Sequence, residues 1–177
     1  MTPQEIIDRV KGRIDVLYYS DEAKLQALMA DTMGKFEDRA GAVRSFRIDG
    51  GTSAPLPADF LAVATVHDAR GRFVEHEAGD SAIAIFGSVR YPVTVQYLVN
   101  FRAMAMDSPL PPSSIGLIAD HFEAQLLLLN ARRERNVVLA TGLQREIVSE
   151  ESLQARLDAV ELAMEENAEI IPMATVV

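Results

Sequence analysis

Apolar positions recur with a helical period near the two ends of this 177-residue chain and with a strand-like period in its middle. Thr2-Pro3-Gln4-Glu5 combines a capping box with proline at the first helical position. Ile6, Ile7, Val10, Ile14 and Leu17 follow at helical spacing, which predicts a helix over 3–17. Ser20 is placed to cap a second helix, 20–40, with Asp21 and Glu22 in the first turn, where the helix dipole favours acids. Leu25, Leu28, Met29 and Phe36 form its apolar stripe. The short link Tyr18–Ser20 predicts an antiparallel helical hairpin.

The period changes after Gly41. Val43–Asp49 alternates as a strand and runs into Gly50-Gly51-Thr52-Ser53, a loop. Pro55 and Pro57 hold the following stretch extended. Leu61–Val66 and Arg72–Glu77 flank Asp68-Ala69-Arg70-Gly71, which suits a hairpin whose glycine supplies a positive φ. Ser81–Phe86 and Thr94–Phe101 add two runs rich in Ile, Val, Phe and Tyr. Residues 43–101 thus read as a small, mostly antiparallel β insertion.

Asp107-Ser108-Pro109-Leu110-Pro111-Pro112 interrupts regular structure. Ser113 or Ser114 then starts a third helix, 114–136, with Ile115, Ile118, Phe122, Leu126 and Leu129 along one side. Leu126–Leu129 is an unbroken leucine run, so this helix is expected to bury more than one face. A fourth helix, 150–167, follows Ser149, with Leu153, Leu157, Val160 and Met164 at a narrow three-four spacing. The expected fold is therefore α+β, mainly α. It is an antiparallel helical bundle with an inserted β region, one domain over 1–167, and an extended C-terminal arm over 168–177.

Charge changes this picture at one place. The net charge is −9, and residues 149–169 hold seven acids against Arg156 as the only base. Glu150, Glu151, Asp158, Glu161, Glu165 and Glu166 give the fourth helix an acidic face, either simply solvated or lining a channel or subunit contact. A chain without a concentrated basic face is a poor candidate for tight DNA binding, which depends on neutralising phosphates. The absence of cysteine excludes disulfides, thiolate zinc sites and cysteine nucleophiles. No apolar run approaches the ~20 residues of a membrane span. The opening MTPQEIIDRV lacks the apolar stretch of a secretory signal, so synthesis in the cytoplasm is expected.

Reactive groups are sparse. The histidines are His67, His76 and His121, and none has the spacing of an HExxH-type metal site, although His67 and His76 could face each other across the proposed hairpin. The chain has no Walker loop, no GxGxxG and no GxSxG. Carboxylates on an exposed face lack the burial or close pairing that catalysis needs. No enzymatic activity, cofactor or metal is expected. Arg132, Arg133 and Arg135 form a basic knot that either complements a helix end or meets an acidic partner or passing DNA.

The last ten residues, Ala168 to Val177, are unusual because Ile170, Ile171, Val176 and Val177 lie beyond the final helix. They either fold back on their own domain or insert into a neighbour by adding a strand or filling a groove. Burying four such side chains contributes roughly 6–12 kcal/mol gross. Ordering eight backbone residues costs on the order of 8–16 kcal/mol. One arm is near break-even, and many arms on a symmetric ring would gain by avidity.

The order of segments resembles the head-to-tail connector (adaptor) proteins of tailed bacteriophages. The likeness lies in a helical hairpin, a β region entered through Leu56-Pro57-Ala58-Asp59-Phe60-Leu61, and Tyr97-Leu98-Val99-Asn100-Phe101 leading through a proline-rich loop. It continues in Ile118-Ala119-Asp120-His121-Phe122-Glu123-Ala124-Gln125-Leu126, an acidic helix and an apolar tail. The resemblance implies a structural virion protein, made in the host bacterial cytoplasm and placed at the head-tail neck. It implies a ring, generally of twelve copies, joining the portal to a tail or collar protein, with genomic double-stranded DNA passing through unbound. It also implies that the arm Glu169, Ile170, Ile171, Pro172, Met173, Ala174, Thr175, Val176 and Val177 docks into the portal protein. The competing readings are a tail-completion or tail-terminator protein and a small-ligand-binding regulatory domain.

Overall fold

The computed structural model describes residues 1–141 and 148–168. They form two compact units: residues 1–40 with 104–168, and residues 41–103.

The first unit is helical. Its α1 (Pro3–Lys11) opens with the capping box: Glu5 N–H donates to Thr2 Oγ1 at 3.2 Å, and Thr2 N–H donates to Glu5 Oε2 at 2.8 Å. Ile6, Ile7 and Val10 are buried, as the spacing predicts. The helix ends at Lys11, however, although Ile14 and Leu17 continue the apolar pattern. A long-range contact holds the chain that follows. The buried Asn130 side chain accepts from the N–H groups of Tyr18 (2.7 Å) and Tyr19 (3.2 Å) and donates to the Val16 carbonyl (3.0 Å). A side chain that claims three backbone groups removes them from helical pairing, so tertiary structure overrides periodicity here.

α2 (Glu22–Arg39) is capped by Asp21, one residue later than the pattern suggested, with Lys24 N–H donating to Asp21 Oδ1 at 3.3 Å. Leu25, Met29, Met33 and Phe36 are buried along it. α3 (Ile115–Thr141) runs five residues further than expected. In its leucine run Leu126 and Leu128 are buried while Leu127 and Leu129 are half-buried, so more than one face is covered. α4 (Glu150–Glu166) runs back along α3: Glu150 meets Arg135, Leu157 packs on Ala124 and Leu128, and Glu161 meets His121.

The second unit consists of strands. β1 (Val43–Ile48), β6 (Val93–Val99) and β3 (Phe60–His67) form one antiparallel sheet in the order β1-β6-β3. Val43 pairs with Leu98 and Ile48 with Val93, while His67 pairs with Thr94. β2 (Ser53–Pro55), β5 (Ala82–Ile85) and β4 (His76–Ala78) form the other, in the order β2-β5-β4. On β6 the residues Val93, Val95, Tyr97 and Val99 are buried and alternate with less buried neighbours, the two-residue period of a half-buried strand. Ile83 and Ile85 do the same on β5. Ile48, Val66, Val74, Ile83, Ile85, Val93 and Val95 make a single apolar core from both sheets.

This corrects the expected fold class. The chain is α+β, with four helices and two three-stranded antiparallel sheets among the described residues, and it is not an antiparallel helical bundle with a minor insertion. The reason is that the alternating residues of 43–101 close a hydrophobic core of their own, so the strands do not depend on a helical scaffold to bury them. The short β2, read from sequence only as an extended proline-flanked stretch, also pairs with β5. The proposed hairpin forms only beside its turn. His67 bridges to Phe73 and Val74 N–H donates to the Val66 carbonyl (3.0 Å), after which the chain crosses into the second sheet as β4.

Candidate functional site

The six acids of α4, read from sequence as solvated or as a channel or subunit face, divide into two sets. Glu150, Glu161 and Glu165 are held by cations of the same unit. Glu150 accepts from Arg135 (2.7 Å) and Arg132 (3.4 Å), so the basic knot, which lies within α3 rather than at its end, anchors the start of α4. Arg133 instead lies over the Tyr19 ring, 5.2 Å from its centroid. Glu161 takes Arg39 at 2.7 Å and Lys35 at 3.2 Å, and Glu165 pairs with Arg39. These acids are therefore internal ties between helices. Glu151, Asp158 and Glu166 are exposed. At 100° per residue they share the outer face of α4 with Ala155, Ala159 and Leu162, and Leu162 is 56% exposed.

Beneath Glu161 lies a histidine that the sequence marked only by its lack of a metal-site spacing. His121 is fully buried (0% exposed), with Nδ1 3.3 Å from Thr32 Oγ1 and Nε2 3.3 Å from Glu161 Oε1. Burial pushes the imidazole pKa down from its usual value. Glu161 and Asp31 oppose this and Lys35 adds to it. Burial also works to raise the Glu161 carboxyl, but His121, Lys35 and Arg39 outweigh it and hold the carboxyl below its ordinary value. Spacing could have flagged this histidine: it lies three residues after Ile118 and beside Phe122, on the stripe that the same reading assigned to the core. Glu123, a few residues on, bridges Arg13 and Arg156, each at 2.8 Å.

A second surface, missed in the sequence, lies on the β unit. Asp68 Oδ1 accepts from the N–H groups of Arg70 (2.8 Å) and Arg72 (3.0 Å), closing a turn in which Gly71 takes φ +74°. Those backbone N–H groups, Arg72 first, hold the Asp68 carboxyl below its usual range. Ala69 N–H donates to the Arg90 carbonyl (2.9 Å), which brings a third arginine to the turn. Arg70, Arg72 and Arg90 thus ring an open cleft of about 320 Å³ beside Phe73, which is 76% exposed. The signal was present as Arg-Gly-Arg-Phe in the turn, but Arg90 comes from a distant loop and could not be assigned to it.

His67 lies against Phe73, ring centroids 4.5 Å apart, so the suggested facing of His67 and His76 does not form. No group of three or more histidines and carboxylates among the described residues could hold a metal ion, and no described helix is long and apolar enough to cross a membrane. The arm assigned to portal docking, Glu169 to Val177, lies outside the described residues. No family model matches the chain, and no curated protein matches its sequence.

Proposed function

We propose that this chain is a structural assembly protein, a head-to-tail adaptor that joins the portal of a tailed phage to its tail as a ring around the DNA path. What supports the reading is the helical unit, which offers surfaces for protein contact. The outer face of α4 presents Leu162 among three acids, and Leu139 on the far end of α3 is 74% exposed, with Val137 and Val148 exposed as well. Apolar groups held in water on a regular helix are what a partner surface covers. The order of segments and the resemblance drawn from it supply the particular assembly. The helical unit carries 19 acids against 11 bases, and a negative ring repels phosphate so that DNA slides past it.

The arm is the part of the reading that a single deletion tests. Purified full-length protein mixed with the portal ring of the same phage should cap it in negative-stain images. A chain ending at residue 168 should keep its helical circular dichroism and lose the capping. Full capping by the truncated chain would sink the arm's role. Binding to tail tube in place of portal would favour a tail-completion protein.

A further inference from the structure

The arginine cleft of the β unit and the outer face of α4 are complementary, and we infer that they bind each other between copies of the chain. The cleft joins three cations, Arg70, Arg72 and Arg90, to the exposed ring of Phe73. The three guanidinium groups make no salt bridge among the described residues, although the Asp68 carboxylate also lines the cleft and feels the charge of Arg72. Arginine and aromatic side chains together are characteristic of protein interfaces, where the ring fills a hollow and the guanidinium meets carboxylates in a fixed fork. DNA is the weaker occupant, because residues 41–103 carry six acids and six bases and so have no net positive charge to draw the phosphate backbone.

The face of α4 answers that cleft in chemistry. Glu151, Asp158 and Glu166 supply carboxylates, Leu162 supplies an apolar knob, and Ala155 and Ala159 leave room between them for a ring to approach. The internal ion pairs leave these three acids outward while Glu150, Glu161 and Glu165 are occupied within the unit. Each copy carries both halves, one on each unit, so the contact between copies is head-to-tail. Such a contact propagates from copy to copy and closes into a ring when the rotation allows. The inference rests on the assembly reading above and makes the outer acids of α4 a subunit face, where the sequence had left a channel lining equally open.

Charge reversal tests this without unfolding anything, since all six residues are exposed. One variant carries Arg70→Glu, Arg72→Glu and Arg90→Glu, and the other carries Glu151→Arg, Asp158→Arg and Glu166→Arg. Self-association is read by light-scattering mass and sedimentation on the full chain. Wild type should associate, and less so as salt rises. Each variant alone should be weakened by about tenfold or more, since like charges then face each other. An equimolar mixture should assemble again, because every contact between the two variants is once more acid against base. Variants that associate like wild type would overturn the inference, as would wild type and mixture both remaining monomeric at the highest soluble concentration. Loss of duplex-DNA retention in the arginine variant, with self-association unchanged, would assign the cleft to phosphate instead. Portal capture is scored separately, so failure there with self-association intact counts against the adaptor reading alone.

Discussion

Within the helical unit, acids outnumber bases 19 to 11 and several charged groups are drawn inward, where Glu161 meets His121, Lys35 and Arg39 behind the surface of α4. Residues 41–103 carry six of each sign, and the seven buried residues of the cluster that joins their two sheets are all Val or Ile. The helical unit adds a fully buried imidazole to its apolar core, while the two sheets are joined by alternating β-branched side chains. The difference predicts different responses to pH. The seven aliphatic side chains contain nothing that titrates and the buried Tyr97 of that unit does so only in alkali, whereas a buried imidazole couples folding to proton binding on the acid side.

Truncation at the centre of each core gives the largest effects. Phe122→Ala should cost about 3–5 kcal/mol and Ile83→Ala about 2–5 kcal/mol in denaturant titrations. A value below about 1 kcal/mol at either position would mean that its core is not packed as described. The comparison sharpens at Glu161. Glu161→Ala leaves His121 without its Nε2 partner and Lys35 and Arg39 without their acid, and should destabilise by about 1–3 kcal/mol. An unchanged denaturation midpoint would reduce the pair to surface decoration.

The pH dependence follows in sign from the same residues. His121 stays neutral in the folded state to lower pH than in the unfolded chain, where its value is near 6.5. The unfolded state therefore binds more protons as the pH falls below that value, and the stability present above it is lost toward the folded pKa. Glu161, lowered from 4.5, adds a further loss in the same direction at still lower pH. Wild type should weaken on acidification from pH 7 to 5, and His121→Gln should flatten that slope while Ile83→Ala leaves it unchanged. An equal slope in wild type and His121→Gln would remove the imidazole from the account.

The smallest expected effect belongs to the β unit's own polar contact. The Tyr97 hydroxyl donates to Asp59 Oδ1 at 2.9 Å, and Arg44 pairs with the same carboxylate. Burial first, and Asp59 next, push the phenol up to about 12. Its contribution to stability is thus present below pH 10 and lost as the pH climbs toward 12. Tyr97→Phe should cost about 1 kcal/mol at neutral pH. In an ultraviolet titration it should also remove the last of the phenolate steps. A titration in which no tyrosine lags would contradict the burial.

Much of this architecture was written in local pattern. The capping box at Thr2, the stripes of α2 and α4, and the strict alternation of Val93, Val95, Tyr97 and Val99 each follow from nearest neighbours. What sequence did not disclose is long-range. Which strands share a sheet depends on β6 lying between β1 and β3, and on β5 recruiting the short β2 across about thirty residues. The candidate surfaces followed the same rule. The acids of α4 were visible as a set, but their division into internal ties and outward groups depended on cations supplied by α2 and α3. The arginine cleft needed Arg90 to be delivered by another loop.

Asn130 also makes a stretch without regular structure observable from a distance. The amide hydrogens of Tyr18 and Tyr19 belong to no helix or strand, yet both are held by a side chain on α3. Loop amides ordinarily exchange with solvent quickly, while these two exchange only when that side chain lets go. Deuterium uptake at Tyr18 and Tyr19 is therefore a clock for the seating of α3, and a partner that shifts the helix along its axis would change its rate before any helical amide responded.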